Sequence, residues 1–192
     1  MEKSLAEYTD NELVELSKND PDVFGELVSR YQDRLFRYVR RISYFPSEDI
    51  EDIVQETFIK VYRSLNAFDG DLKFSTWVYQ IARNTMIDAI RKKQSRPQTV
   101  SFEDDDMLKL LRSDIDIQTT MEVQDQLKIM RESINAMPYV YKEVMVLRFL
   151  EEKSYEEIMD IVQKPKGTVA ALINRGRKML LEKMSTDSKI MK

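Results

Sequence analysis

Only four glycines and five prolines punctuate this chain of 192 residues, and that scarcity decides its fold class. A β-rich chain needs many tight turns, and tight turns draw on Gly and Pro. Between the few breakers lie apolar residues at helical spacing. The expected fold is therefore all-α. With 42% hydrophobic residues there is enough apolar surface for a core, and the length allows one domain or two small ones.

The periodicity divides the chain. A short helix, "NELVELSK", starts at Asp10 and ends at Asn19 and Asp20. Asp20 is placed to cap the next helix, with Pro21 at its first position, where a missing N–H costs nothing. That helix runs to Ile42 on a stripe that includes Phe24, Leu27, Tyr31, Leu35 and Tyr38. Ser47 is the expected cap of "EDIEDIVQETFIKVYRSL". Ile50, Ile53, Val54, Thr57, Phe58 and Val61 form its inner face. Glu48, Asp49, Glu51 and Asp52 crowd its first turns, where the helix dipole favours negative charge. A loop around Gly70 leads into "KFSTWVYQIARNTMIDAIRKK". Ser75 is the expected cap there, with Phe74 and Tyr79 spaced as a hydrophobic staple.

The pattern dissolves over residues 94–120, which read as a flexible acidic linker. It returns near Met121 and stops before Met137 and Pro138. In "YVYKEVMVLRFLEE" the inward residues are Val140, Val144, Leu147 and Leu150. Ser154 with Glu157 three residues on fits a capping box. A short helix, "YEEIMDIV", the turn "QKPKG" and a longer helix, "TVAALINRGRKMLLEKM", complete the chain. Val169, Leu172, Ile173, Met179 and Leu180 pack, while Ala171, Asn174, Arg175 and Lys178 face away. Two helices joined by a short Gly-containing turn, the second basic on its outer face, form a helix-turn-helix pattern.

Histidine and cysteine are both absent. The chain therefore has no disulfide, no thiolate metal site and no imidazole base. Catalysis is disfavoured; no catalytic residue, metal or cofactor is assigned. No run approaches the roughly 18 apolar residues of a membrane span, and the first four residues lack a signal-peptide core. A cytoplasmic protein without membrane insertion is expected.

Net charge is −4, which taken alone argues against nucleic acid. The distribution argues for it. Residues 73–96 hold six basic side chains and one acid, and so do residues 164–183. Between them, residues 103–125 hold eight acids and two bases. Two basic segments thus flank an acidic one. In the second, phosphates attract Arg and Lys, and Asn174 with an Arg can read base edges in the major groove. In the first, aromatic rings beside cations suit unstacked bases, which stack on rings while the cations hold the backbone. Phe68, Phe74 and Tyr79 sit nearest the Gly70 loop and point to single-stranded or melted DNA, with Arg83, Asn84 and Arg91 on an outer face. Trp77 reads as core.

These segments resemble the two-domain, extracytoplasmic-function group of bacterial sigma factors in the sigma-70 family. "FDGDLKFSTWVYQIARNTMIDAIRKK" is similar to the part of the first sigma domain that binds and opens the −10 promoter element. "SEDIEDIVQETFIKVYRSL" resembles the helix that docks on RNA polymerase, and the segment from Met137 to Leu180 resembles the second sigma domain, whose helix-turn-helix reads the −35 element. The resemblance implies two small helical domains: residues 1–96, then an acidic linker over 97–120, then a winged-helix-like four-helix domain over 121–192. It implies that Asn84 meets a flipped −10 base, that the loop ending at Lys73 walls the pocket, and that Gln80, Arg83 and Arg91 hold the adjacent strand. Asp49, Asp52, Gln55 and Glu56 would face core RNA polymerase. An anti-sigma factor is an implied partner beside polymerase and promoter DNA.

The recognition helix departs from the family pattern. Ala170, Ala171 and Leu172 stand where basic or hydroxyl-bearing residues are common. Apolar contact, such as Ala171 against a thymine methyl, is expected there. Lys166, Thr168, Asn174, Arg175, Arg177 and Lys178 remain as candidates. Because the free chain is acidic overall, strong DNA binding is expected only once polymerase spreads the two domains. Two rivals predict otherwise. A stand-alone helix-turn-helix regulator would bind duplex DNA unaided, and a carboxylate-bound Mg²⁺ hydrolase would use the acids of residues 48–56.

Overall fold

A computed structural model of the chain describes residues 4–68, 70–94, 130 and 132–190. All regular structure among the described residues is helical. The helices are α1 (Asp10–Ser17), α2 (Pro21–Ile42), α3 (Ser47–Arg63), α4 (Phe74–Gln94), α5 (Tyr139–Phe149), α6 (Tyr155–Val162) and α7 (Lys166–Ile190). The linker expected over 97–120 lies outside the described residues.

The helix starts follow the capping chemistry with two corrections. Thr9 caps α1 through a reciprocal box: its hydroxyl accepts from the Glu12 N–H, and Glu12 accepts from the Thr9 N–H at 2.7 Å. Asp20 accepts from the Asp22 N–H at 3.0 Å, with Pro21 following as expected. Ser47, however, is not a cap. It is the first residue of α3, and Pro46 holds the cap position without a side-chain bond. Ser75 is not a cap either. Helix α4 opens one residue earlier, and the Trp77 N–H already bonds the Lys73 carbonyl at 3.1 Å.

Helix α2 is the spine of the first unit and packs against α1, α3 and α4. Leu27, Leu35, Tyr38 and Val39 along it are fully buried. Each such apolar side chain contributes about 1.5–3 kcal/mol on burial. Arg30 fastens the N-terminal segment to α2 by donating to the carbonyls of Leu5, Ala6 and Tyr8 and to Asp10 and Glu26. The Tyr31 hydroxyl donates to the same Asp10. Between α3 and α4 the chain turns at Gly70, whose φ of 79° favours a residue without Cβ.

The second unit is built on α5, which packs against α6, α7 and, across the chain, α2. Residues Lys142, Glu143, Val144, Met145, Val146 and Leu147 are all buried. One inward stripe was expected; the helix instead buries both sides because the first unit covers the other one. Val140, expected inward, is exposed. Ser154 and Glu157 form the anticipated capping box at α6. Helix α6 then packs against both α7 and α4, so the two units meet in an extensive contact.

Candidate nucleic-acid interface

Helix α4 presents two adjacent edges. Along one, Asn84 and Arg91 are exposed and Gln80 is half-buried. Arg91 lies 3.6 Å from Asp88, but both side chains face solvent, so the pair contributes little. Along the other edge, Tyr79 and Arg83 point into the second unit.

Arg83 Nε donates to Glu143 Oε1 at 2.6 Å, and the Tyr139 hydroxyl donates to the same oxygen at 2.9 Å. The Arg83 and Glu143 side chains are 14% and 3% exposed. Burial alone disfavours the Arg83 charge, but the Glu143 carboxylate outweighs it and raises the guanidinium's affinity for its proton. A second carboxylate, Glu151, accepts from the Tyr79 hydroxyl at 2.6 Å and from Arg41 Nη1 at 2.8 Å. Burial and the Glu151 charge push the Tyr79 hydroxyl far up, so it remains a donor. The third is Glu157, 3.4 Å from the Lys73 ammonium. The Lys153 ammonium stands 4.5 Å over the Tyr79 ring, and burial lowers its proton affinity.

The rings around the Gly70 loop differ from expectation. Phe68 is 6% exposed, 4.9 Å from the Trp77 ring and 6.2 Å from Phe74. It is a core residue with no face free for a base. Tyr79 is buried under the second unit, with its ring 5.0 Å from Tyr38. Lys73, by contrast, keeps 75% of its side chain in solvent.

On α3, Asp52, Gln55 and Glu56 are exposed and Asp49 is half-buried. Together they line an open groove between α3 and α4. Lys93 closes its end, 3.1 Å from Asp49. Exposed Ile59 and Tyr62 on the same helix add apolar surface. Acids beside exposed apolar residues suit a protein partner better than a polyanion.

Helix α7 is seated by buried Val169 and Ile173. Gly176 is also buried there, and a Cβ on it would stand 2.7 Å from Met145 Cγ. This close approach turns the opposite face outward. Ala171, Asn174, Arg175 and Lys178 are exposed, as their spacing predicted, and so are Lys166, Thr168 and Arg177. The structure thus leaves every α7 candidate exposed, and it divides the α4 candidates between an open edge and a covered one.

Arg41, Glu143 and Glu151 escaped the sequence reading. The burial of Lys142 and Glu143, which makes partners necessary, shows only in the fold and had no signal in the sequence. The partners themselves, 60 to 110 residues away in the chain, left no local trace.

The sigma-70 region 2 profile matches residues 27–96, and the sigma-70 region 4 profile matches residues 127–180. The chain is 36% identical over 187 residues to the ECF RNA polymerase sigma-E factor of Escherichia coli (strain K12), covering 93% of this chain and 95% of the relative. It is 37% identical over 185 residues to the sigma-E factor of Haemophilus influenzae, covering 93% and 96%. Among solved structures it resembles CnrH in complex with the cytosolic domain of CnrY, at a TM-score of 0.67 and 24% identity, covering 93% of this chain and 98% of that one. It also resembles RpoE in complex with the anti-sigma factor NepR from Bartonella quintana, at a TM-score of 0.64 and 21% identity, covering 85% and 98%. These two likenesses concern the fold.

Proposed function

The chain belongs to the extracytoplasmic-function sigma factors of the sigma-70 family, and from that premise we propose how its two halves divide the work of promoter-specific transcription initiation. Residues 121–192 read the −35 duplex. Helix α7 enters the major groove, with Asn174 and Arg175 at base edges, Ala171 against a thymine methyl, and Lys166, Thr168, Arg177 and Lys178 on phosphates and neighbouring edges. Residues 1–96 capture the melted −10 strand. Asn84 meets a flipped base, and Gln80, Arg83, Arg91 and Lys73 hold the strand beside it. Tyr79 joins them once uncovered, while Phe68 serves from below by bracing Trp77 and Phe74. Residues 97–120 tether the halves.

Asp49, Asp52, Gln55 and Glu56 dock on core RNA polymerase through the α3–α4 groove. The chain itself makes and breaks no bonds in this reading; polymerase does. It acts in the cytoplasm, and an anti-sigma factor is the expected negative partner.

The observation that carries the reading is the pair of outward surfaces. The α7 face and the Asn84–Arg91 edge of α4 are both exposed, although each belongs to a helix whose other side is packed. A run-off transcription assay with purified core polymerase on a promoter library tests it. Discrete start sites that require this chain are expected. Transcripts no more specific than those of core polymerase alone would overturn it.

A further inference from the structure

The contact between the two units includes a set of charged pairs. On the first unit stand two guanidiniums, a phenol hydroxyl and an ammonium: Arg41, Arg83, Tyr79 and Lys73. The guanidiniums and the ammonium can only donate, and the phenol donates here, which is the chemistry that recognises a phosphate backbone. On the second unit, Glu143 meets Arg83, Glu151 meets both Arg41 and Tyr79, and Glu157 meets Lys73, at 2.6 to 3.4 Å. Glu143 and Glu151 are only 3% and 8% exposed. Their charges have therefore left water and depend on these donors.

We infer that Glu143 and Glu151 occupy phosphate positions of the single strand, holding the strand-binding face shut in the free chain, and that Arg41 is a strand-binding residue of that face. The inference rests on the reading of α4 as the strand-capturing helix and adds to it a residue from α2 and an internal competitor. Three features support it. The covered donors border the open edge of α4, since Tyr79 is next to Gln80 in the same helix and Arg83 is next to Asn84 and three residues from Gln80. The contact is separable, because buried ion pairs roughly break even against their desolvation, so a polyanion can replace the carboxylates at little net cost. And the blockade is selective. The α7 face stays exposed while half of the α4 face is covered, so the closed chain keeps its duplex reader and loses its strand reader.

The test uses the full chain and fluorescence anisotropy with a short, labelled single-stranded DNA of mixed sequence, alongside the same sequence as a duplex. Glu143→Gln/Glu151→Gln is expected to tighten single-strand binding about tenfold and duplex binding far less. Glu143→Asp/Glu151→Asp keeps the net charge, withdraws each carboxylate by one methylene, and is expected to tighten single-strand binding several-fold. This second pair also covers the case in which the Gln variant does not fold. Adding Arg41→Gln to either opened variant is expected to reverse most of the gain and to reduce the salt dependence by about one phosphate contact. Single-strand affinity that stays at the wild-type level in the Asp and Gln variants would overturn the inference, and so would an Arg41→Gln change without effect in the opened chain. Run-off transcription by the wild-type chain with core polymerase separates the two levels. If transcription is promoter-specific and the variants bind no tighter, only the internal competition fails. If promoter-specific transcription is absent, the underlying reading fails.

Discussion

Arg83 and Glu143 stand 60 residues apart in the chain, and Arg83 Nε lies 2.6 Å from the Glu143 carboxylate. The two belong to different units, so their pairing records how the halves meet. With both side chains at 14% exposure or less, removing one leaves a charge buried without its partner. Glu143→Ala or Arg83→Ala alone is expected to destabilise the chain by about 3 kcal/mol. The double variant should cost clearly less than the sum, with a coupling of about 1–3 kcal/mol. Urea denaturation of all four chains measures it; additive effects would mean that the pair does not couple the units.

Tyr38 is fully buried, and its hydroxyl has no hydrogen-bond partner among the described residues. Its ring lies against Tyr79, and its charge environment includes Glu143, Tyr139 and Arg83. An unsatisfied buried hydroxyl costs about 1–3 kcal/mol. Tyr38→Phe removes that cost and keeps the ring. The variant should melt about 2–4 °C higher for each kcal/mol gained, as read by calorimetry. A lower melting temperature would contradict the assignment.

Gly176 lets α7 approach α5. A Cβ there would stand 2.7 Å from Met145 Cγ and 2.8 Å from its sulfur, and Met145 is fully buried. Alanine has the better helix propensity by about 1 kcal/mol, but overpacking costs about 1–3 kcal/mol. Gly176→Ala is therefore expected to destabilise on balance. Combined with Met145→Ala, it should cost less than the two changes summed, because the new methyl enters the space vacated. Thermal melts of the four chains decide this.

Asn84 and Arg91 are exposed on α4. Substituting either with Ala should leave stability within about 0.5 kcal/mol of wild type. Loss of a base-edge or backbone contact worth about 1–3 kcal/mol should still lower promoter opening by about fivefold or more. Permanganate footprinting of holoenzyme on a cognate promoter measures opening directly. Unchanged opening by both variants would remove them from the site.

Most of the helices and the open faces were legible because they rest on local chemistry. Asp20 with Pro21, and Ser154 with Glu157, marked helix starts that the structure reproduces. The outward set of α7 followed from the spacing of Val169 and Ile173 on the opposite side. Ser47 and Ser75 misled because a hydroxyl near a helix start need not be the cap; at α3 Pro46 holds that place. Phe68 misled for another reason. Sequence position put it beside the loop, whereas packing against Phe74 and Trp77 put it beneath. The contact between units was illegible altogether, since Arg41 and Glu151 lie 110 residues apart and no spacing rule links them.

The decisive measurement is the distance between the halves, free and at work. The chain contains no cysteine, so Asn11→Cys on α1 and Leu181→Cys on α7, both at exposed positions, give a clean pair of spin labels. Double electron–electron resonance on the free chain should return one narrow distance distribution, that of the closed contact described here. With core polymerase and promoter DNA the distribution should move to a distinct position, as α4 takes the strand and α7 the duplex. An unchanged distribution in a transcribing complex would contradict that separation and with it the proposed division of labour.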